Sequence, residues 1–597
     1  MKNFFRIALI LLCLLTLFNR AQAEESQQMM PLNEIRPGME GHWRTVVSGT
    51  EIEDFPLKVL GVIDDFIGPG RSLIICEAID ADNILSGPVS GMSGSPVFID
   101  GKLVGAYAYG FPWAKEQAII GVTPIADMLE IFDRFDENES PVARASRYPA
   151  ESEEPDAAPS TENLLPSATA LPPVSLLRSH LQPIPTTLSI SGISPQVLAF
   201  FENEFRALGL EPTLVPMGKT AEEIDTDLQP GSAVAGVLLD GDFNFAGTGT
   251  VTYREGDRLL AFGHPFFGFG ATDMPMAAAE IITVVRSVQS SFKLSSTGPV
   301  IGSIYQDRLS AIAGKIGRQA PVVELTLNVE DGNGFSETYR GNLFQHPQLS
   351  PIISAMALSE SLTRTMEASD RQTFFIRSTW EIEGHEPILF EDVATGPSSP
   401  MQLTMQHLNL YRKLADNFFD APTIRSIDYD ISFRNEWLIS ELESAFVDRN
   451  EVKRGEKVTI DLVFRNYRGE RTRKQIEIPI PADVVSENAI LFVGDAASSR
   501  AYDPKYPVQP ISLEQVLEQA RQHAGRQSIY VKLVRPATGL RVAGVGMPDL
   551  PPSVAAAFQS PQTKENLSSL SYATLWETEF SVENEFRGQR TFQLKIK

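Results

Sequence analysis

Two cysteines in 597 residues, Cys13 and Cys76, are too few for a disulfide scaffold. Cys13 falls in a short apolar run, Ile7 to Phe18, that follows Arg6 and leads to Ala21-Gln22-Ala23, the form of a cleavable signal peptide over residues 1–23. The Leu-Leu-Cys context lacks the small residue that precedes a lipidated cysteine, and the mature chain keeps Cys76 alone, expected as a small buried hydrophobe. No later run is long and apolar enough to span a bilayer, so the mature chain is expected to be periplasmic or secreted, without a membrane span. Basic residues are also scarce, 51 against 76 acidic ones for a formal charge of −25, which disfavours nucleic acid and anionic lipid as partners. The seven histidines show no metal-ligand spacing, and Phe267-Gly268-Phe269-Gly270 lacks the Lys-Ser/Thr ending of a phosphate loop, so neither a metal nor another cofactor is expected. No short-period repeat is present.

Turn formers are plentiful instead: 42 glycines and 41 prolines beside 43% hydrophobic residues indicate a strand-rich globular chain rather than helical bundles. From Pro31 to about Phe135, strand patterns recur at Leu57 to Ile63, Ser72 to Ala78, Pro96 to Ile99, Leu103 to Tyr109 and Ala118 to Val122, followed by a short helix through Phe132. Residues 136–185 are rich in Glu, Asp, Pro, Ser and Ala with few large apolar groups, the composition of an acidic flexible linker. Ser194-Pro195 then caps a helix that Gly209 ends, and hairpin signals at Asp240-Gly241 and Glu255-Gly256-Asp257 separate strands leading to His264. The second β unit is drawn over 186–377, with a helix from Pro351 to Met366. Residues 378–597 are expected to form a C-terminal β-rich region whose half-buried strand pattern suggests an Ig-like module, with a capped helix at Ser512 to Gln515.

The residues that suggest chemistry begin at Gly91-Met92-Ser93-Gly94-Ser95-Pro96. A serine between glycines fits a tight turn in which the amides of Gly91 and Ser93 could form an oxyanion hole. A hydrolase elbow is excluded, because Ser95 stands where that turn needs glycine and a strand follows where it needs a helix. Serine needs a base, and His264 ends an apolar strand, Leu259 to Gly263, with Pro265 stopping the pairing. His42, in the polar opening segment Gly38-Met39-Glu40-Gly41-His42-Trp43 that reads as a turn, is the rival. A carboxylate should orient the imidazole: Asp80 closes the strand Leu73 to Ile79, Asp82 lies just behind it, and Asp273 follows His264.

The Gly-Met-Ser-Gly-Ser-Pro loop resembles that of SpoIVB-type serine peptidases, of the trypsin-like clan. Leu260-Ala261-Phe262-Gly263-His264 resembles the family's histidine segment, Gly247-Thr248-Gly249-Thr250-Val251 its Gly-Thr-x-Thr-Phe strand, and Ile301-Gly302-Ser303-Ile304, more weakly, its Gly-Ser-Ile element. The resemblance covers about residues 31–135 and 225–330, under half of the chain, and includes no PDZ-like module. It implies a mainly β fold, a trypsin-like double β-barrel built from two separated halves, followed here by the C-terminal β-sandwich-like region. It further implies a serine endopeptidase acting on protein or peptide substrates, with Ser93 as nucleophile, His264 as base and Asp80 as acid. The order departs from the family: the serine segment precedes the histidine segment, as after a circular permutation. The alternative expectation is a non-catalytic envelope protein that keeps the barrels for binding. Nothing in the sequence indicates an oligomeric state.

Overall fold

The computed structural model describes residues 27–597 apart from 81–84, 111–117, 135–180, 217–223, 225, 288–289, 332–333, 365–370, 418, 420–421, 485–486, 503–509, 511, 523–524, 543–544 and 559–566. The segment read as a signal peptide, Asp82, His180, His523 and nearly all of the segment read as an acidic linker therefore lie outside the described residues.

The fold is mainly β. Its first sheet is built from β1 (Glu40–Val46), β2 (Ile52–Gly68), β3 (Arg71–Ala78), β5 (Ser95–Ile99), β6 (Lys102–Gly110) and β7 (Ala118–Pro124), while the two-residue β4 (Val89–Ser90) leaves it. The order β5-β1-β2-β3-β7-β6, with β5 pairing back onto β6, closes a six-stranded barrel. The tight β5–β6 hairpin turns on Asp100-Gly101, both at positive φ, the backbone such a two-residue turn requires. Leu57, Val59, Ile74, Cys76, Val97, Val104 and Val122 fill the barrel, and burial pushes the Cys76 thiol up to about 12, which makes it inert. The opening segment expected as a turn is strand β1, in register with Pro56 of β2 and Phe98 of β5 at His42, because Trp43 supplies a buried anchor on its inner face.

Described residues resume at Leu181, inside the segment drawn as linker. Leu181 and Ile184 are buried against the first barrel, and β8 (Gln182–Pro183) pairs with β6. Strands β9 (Thr186–Ser191) and β10 (Leu210–Leu214) flank the helix Pro195–Ala207, whose N-cap Ser194 accepts from the Val197 amide. A second closed ring follows: β11 (Ala233–Gly241), β12 (Asn244–Glu255), β13 (Arg258–Ala261), β14 (Gly270–Val285), β15 (Ser291–Arg308) and β16 (Ala311–Ile316) pair as β12-β13-β16-β15-β14-β11, and β11 returns to β12. Small side chains such as Ala233, Ala235, Ala246, Ala277 and Ala279 pack together here, so the strands approach closely.

The same sheet continues through β17 (Val322–Glu330), β18 (Ser336–Phe344), β19 (Thr373–Ile382), β20 (Ile388–Thr395) and β21 (Ile424–Arg434). The boundary drawn at 377/378 therefore cuts β19. The composition changes there, but Phe374, Trp380, Ile427 and Tyr429 share one core with the helices Leu349–Arg364 and Ser399–Ala415 and with the second barrel. The terminal β-sandwich begins after Arg434: β22 (Ile439–Val447), β24 (Lys457–Asn466), β25 (Arg471–Pro479) and β30 (Glu585–Arg587) face β23 (Glu451–Val452), β26 (Asn488–Gly494), β27 (Ser528–Val542), β28 (Val545–Met547), β29 (Leu567–Ser581) and β31 (Gln589–Ile596). Ile460, Leu462 and Ile478 of one sheet meet Leu491, Val531 and Leu594 of the other. The helix Leu513–Arg521 packs Val516 and Leu517 into the preceding core instead.

Candidate active site at the barrel seam

The serine loop links β4 to β5, and β4 belongs to the wrong sheet for its half: Val89 and Ser90 pair in parallel with Ser291 and Phe292 of β15. The loop is tightly folded. Met92 N–H donates to the Val89 carbonyl (3.0 Å), and Ser95 donates to the Met92 carbonyl from both its amide (3.0 Å) and its hydroxyl (2.6 Å). Gly91 and Gly94 have φ of +93° and +96°, a region that only glycine enters without strain. A Cβ on Gly94 would stand 2.0 Å from the Thr250 carbonyl oxygen, so glycine is required by space as well as by angle.

Strand β12 of the second barrel holds this loop. Thr250 N–H donates to the Ser93 carbonyl (2.8 Å), the Thr250 hydroxyl to the Gly91 carbonyl (2.9 Å) and the Thr252 hydroxyl to the Gly94 carbonyl (2.6 Å). The grip is reciprocal: Thr123 of β7 donates to the Gly263 carbonyl (2.6 Å), and Gly263 fits against Ala106 and Ala108 of β6. Each barrel thus fixes the other's candidate segment, and the seam between them carries both. The helix Ile125–Arg134 seals it, with Ile125, Met128 and Ile131 between Phe98 of one barrel and Leu260 and Ala313 of the other.

At the seam, the Ser93 hydroxyl is fully buried and His264 Nε2 sits on a side chain 2% exposed; among the described residues neither has a hydrogen-bond partner, so the two do not bond each other. Among the described residues, no acceptor takes the Ser93 N–H. His264 Nδ1 lies 2.7 Å from the Pro265 carbonyl oxygen. A carbonyl only accepts, so Nδ1 carries the proton and Nε2 presents a lone pair, the tautomer a general base needs. Burial lowers the imidazole to about 4, against the raising effect of the Pro265 bond, so it is neutral at pH 7.

Among the described residues, no hydrogen bond or ion pair joins Asp80 to that ring. Asp80 lies just past β3, half-buried, and the position beside His264 Nδ1 is taken by the Pro265 carbonyl. Asp273 is committed elsewhere: its Oδ1 accepts from Arg318 Nε (2.7 Å) and Nη2 (2.6 Å) and from the Ser303 hydroxyl (3.2 Å). His42 stacks on Phe98 at 5.3 Å and has Nε2 3.9 Å from Asp54; burial lowers its pKa, with Asp54 opposing and Arg44 assisting.

Two groups at this seam were not singled out in the sequence. Asp307, at the end of β15, is buried and collects the amides of the loop after His264: Phe266 (2.8 Å) on Oδ1, and Phe267 (2.7 Å), Gly268 (2.8 Å) and Phe269 (3.3 Å) on Oδ2. Burial pushes its carboxyl up, and the four amides pull it back down. It shapes the turn that aims the Pro265 carbonyl at the imidazole. Lys293 is the other, 1% exposed, with its stem against Gly91. The available signal was alternation: Ser291, Lys293 and Ser295 share the inward face of β15, so the lysine is buried by period.

No family model, curated protein or solved structure matches this chain. A cleft of about 470 Å³, lined in part by Asp392, Arg500, Arg526 and Glu585, opens beside the sandwich and not at the seam.

Proposed function

We propose that this protein is an exported serine endopeptidase of the SpoIVB-like kind, with its two barrels in permuted order. In this reading Ser93 Oγ attacks the scissile carbonyl, forming the acyl-enzyme bond, while its proton passes to His264 Nε2 and then to the leaving amine. Water, deprotonated by the same nitrogen, releases the acyl group. The Gly91 and Ser93 amides stabilise the oxyanion. The observation that carries the reading is the reciprocal threonine grip, which holds the serine loop and the His264 segment at one seam; the Ser93 hydroxyl and His264 Nε2 are not hydrogen-bonded to each other here, so the reading requires the seam to shift until they meet. The Pro265 carbonyl replaces a carboxylate as the group that fixes the tautomer. The seam opens before substrate enters, since Ser93 has no exposed surface here.

A second reading, a non-catalytic envelope binding or scaffold protein, is favoured by that burial and by a histidine without a carboxylate. A small fluorophosphonate separates the two. A peptidase is labelled at Ser93, His264→Ala slows labelling by orders of magnitude, and Ser93→Ala abolishes it. Ser93→Ala also removes an unpartnered buried hydroxyl and is expected to stabilise the fold by about 1 kcal/mol. No labelling of the folded wild type, from pH 5 to 9, refutes the peptidase reading.

A further inference from the structure

Lys293 Nζ donates to the hydroxyls of Thr45 in β1 (2.6 Å) and Thr250 in β12 (3.3 Å). Thr250 holds the serine loop at two points, the Gly91 and Ser93 carbonyls. We infer that Lys293 is a positioning residue for the nucleophile loop, acting through Thr250 to set the shape of Gly91 to Ser93. The kinetic part of this inference rests on reading Ser93 as the nucleophile; the structural part does not.

The chemistry of the enclosure supports the role. A neutral amine has two N–H donors, and here two hydroxyls accept them. An ammonium has a third N–H, for which no acceptor is present among the described residues. The groups at the amine are the uncharged hydroxyls of Thr45 from β1 and Thr250 from β12, Gly91 lies along the stem, Val284 is the register partner across the β14–β15 ladder, and among the described residues no charged group bonds the amine. Burial alone lowers the amine to about 7. A lysine in such a place costs stability, so its use lies in what it orients. Its stem also lies against Gly91, where a Cβ would stand 3.1 Å from the lysine Cβ, so stem and amine grip the same turn.

The test uses the full chain with Lys293→Met, which keeps the stem and removes the amine, and Thr45→Val, which removes one of its two holders. Three quantities are read: hydrogen exchange of the Thr250 amide, the rate of Ser93 labelling by a small fluorophosphonate from pH 5.5 to 9, and the melting temperature. Lys293→Met is expected to raise exchange at Thr250 about tenfold, slow labelling about tenfold, and erase an inflection near neutral pH, while its melting temperature stays at or above that of the wild type. Higher stability with lower reactivity is a pairing that a merely structural lysine does not give. Unchanged exchange together with an unchanged labelling profile in folded Lys293→Met overturns the inference, and Thr45→Val decides it in the same way if the first variant fails to fold. If the wild type is not labelled at all, the peptidase reading fails, and Thr250 exchange alone decides the role of Lys293.

Discussion

Replacing Asp307 by Asn changes one atom and leaves shape and volume in place, so its effect isolates the four amide bonds that this carboxylate accepts. If the new amide oxygen takes the Oδ2 place, three bonds survive without their charge assistance, a loss of about 1 kcal/mol each. The new NH2 then faces the Phe266 amide, donor against donor, leaving a buried N–H unpaired at a cost of about 1–3 kcal/mol. The sum is about 4–6 kcal/mol before the loop relaxes, and relaxation brings the realised loss to the lower end, about 4 kcal/mol. A chain of 597 residues with several packed units will not unfold in one step, so the loss is best read locally. Exchange at the amides of Phe266 to Phe269 is expected to rise by about a thousandfold, since 1.4 kcal/mol is a factor of ten. The Pro265 carbonyl is released with them, and Ser93 labelling falls although the substituted side chain touches no reacting atom. A rise of less than tenfold in that exchange, or wild-type labelling after the loop has loosened, refutes the reasoning.

Two further outcomes follow from the same seam. His264 is lowered to about 4 in the fold against about 6.5 free, so the folded state binds fewer protons between those values and loses stability as pH falls from 6.5 to 4, by about 3 kcal/mol in all; hydrogen exchange of the seam amides at pH 7 and pH 4, corrected for the intrinsic rate, should show this loss, and His264→Gln should shrink it by that amount, leaving the part due to His346, which burial lowers to about 3. Gly94→Ala places a methyl 2.0 Å from the Thr250 carbonyl oxygen and 2.4 Å from the Phe262 nitrogen at a φ of +96°, so it should cost more than the roughly 1–2 kcal/mol of the backbone angle and separate the barrels, whereas Gly101→Ala, with nothing near its Cβ, should cost the angle alone. Thermal melts of the two variants compare these directly.

Much of the fold was legible because its signals are local. Asp240-Gly241, Gly256 and the apolar alternation between them mark β11 to β13, and Ser194-Pro195 marks a helix start that the structure places at the same residues. The terminal sandwich was legible in outline from strands such as Lys457–Asn466, whose side chains alternate between core and solvent. What escaped was long-range. Strand β1 reads as a polar turn until Trp43 is seen filling a barrel, and the boundary near residue 378 follows composition where the sheet follows pairing. At the site, Ser93 and His264 announce themselves by neighbours in sequence, but Lys293, Asp307 and the threonine grips act across 40 to more than 200 residues, and no local pattern encodes a partner at that distance. Asp80 looked apt by position alone, whereas the imidazole is held by the residue next to it.

The reciprocal grip also sets a clock. A chain made from its amino end completes the serine barrel first, while Thr250, Thr252 and Lys293, which hold the serine loop, are still to come. Until residue 252 is in place the loop has no clamp, until residue 293 that clamp is not braced, and until β12 to β16 have closed, the Gly263 carbonyl has not reached Thr123. Under the proposed function, a nascent or half-translocated molecule is therefore harmless to its neighbours and to the export machinery. In that reading, the serine half preceding the histidine half gives a delay of some two hundred residues between the making of the proposed nucleophile and its arming.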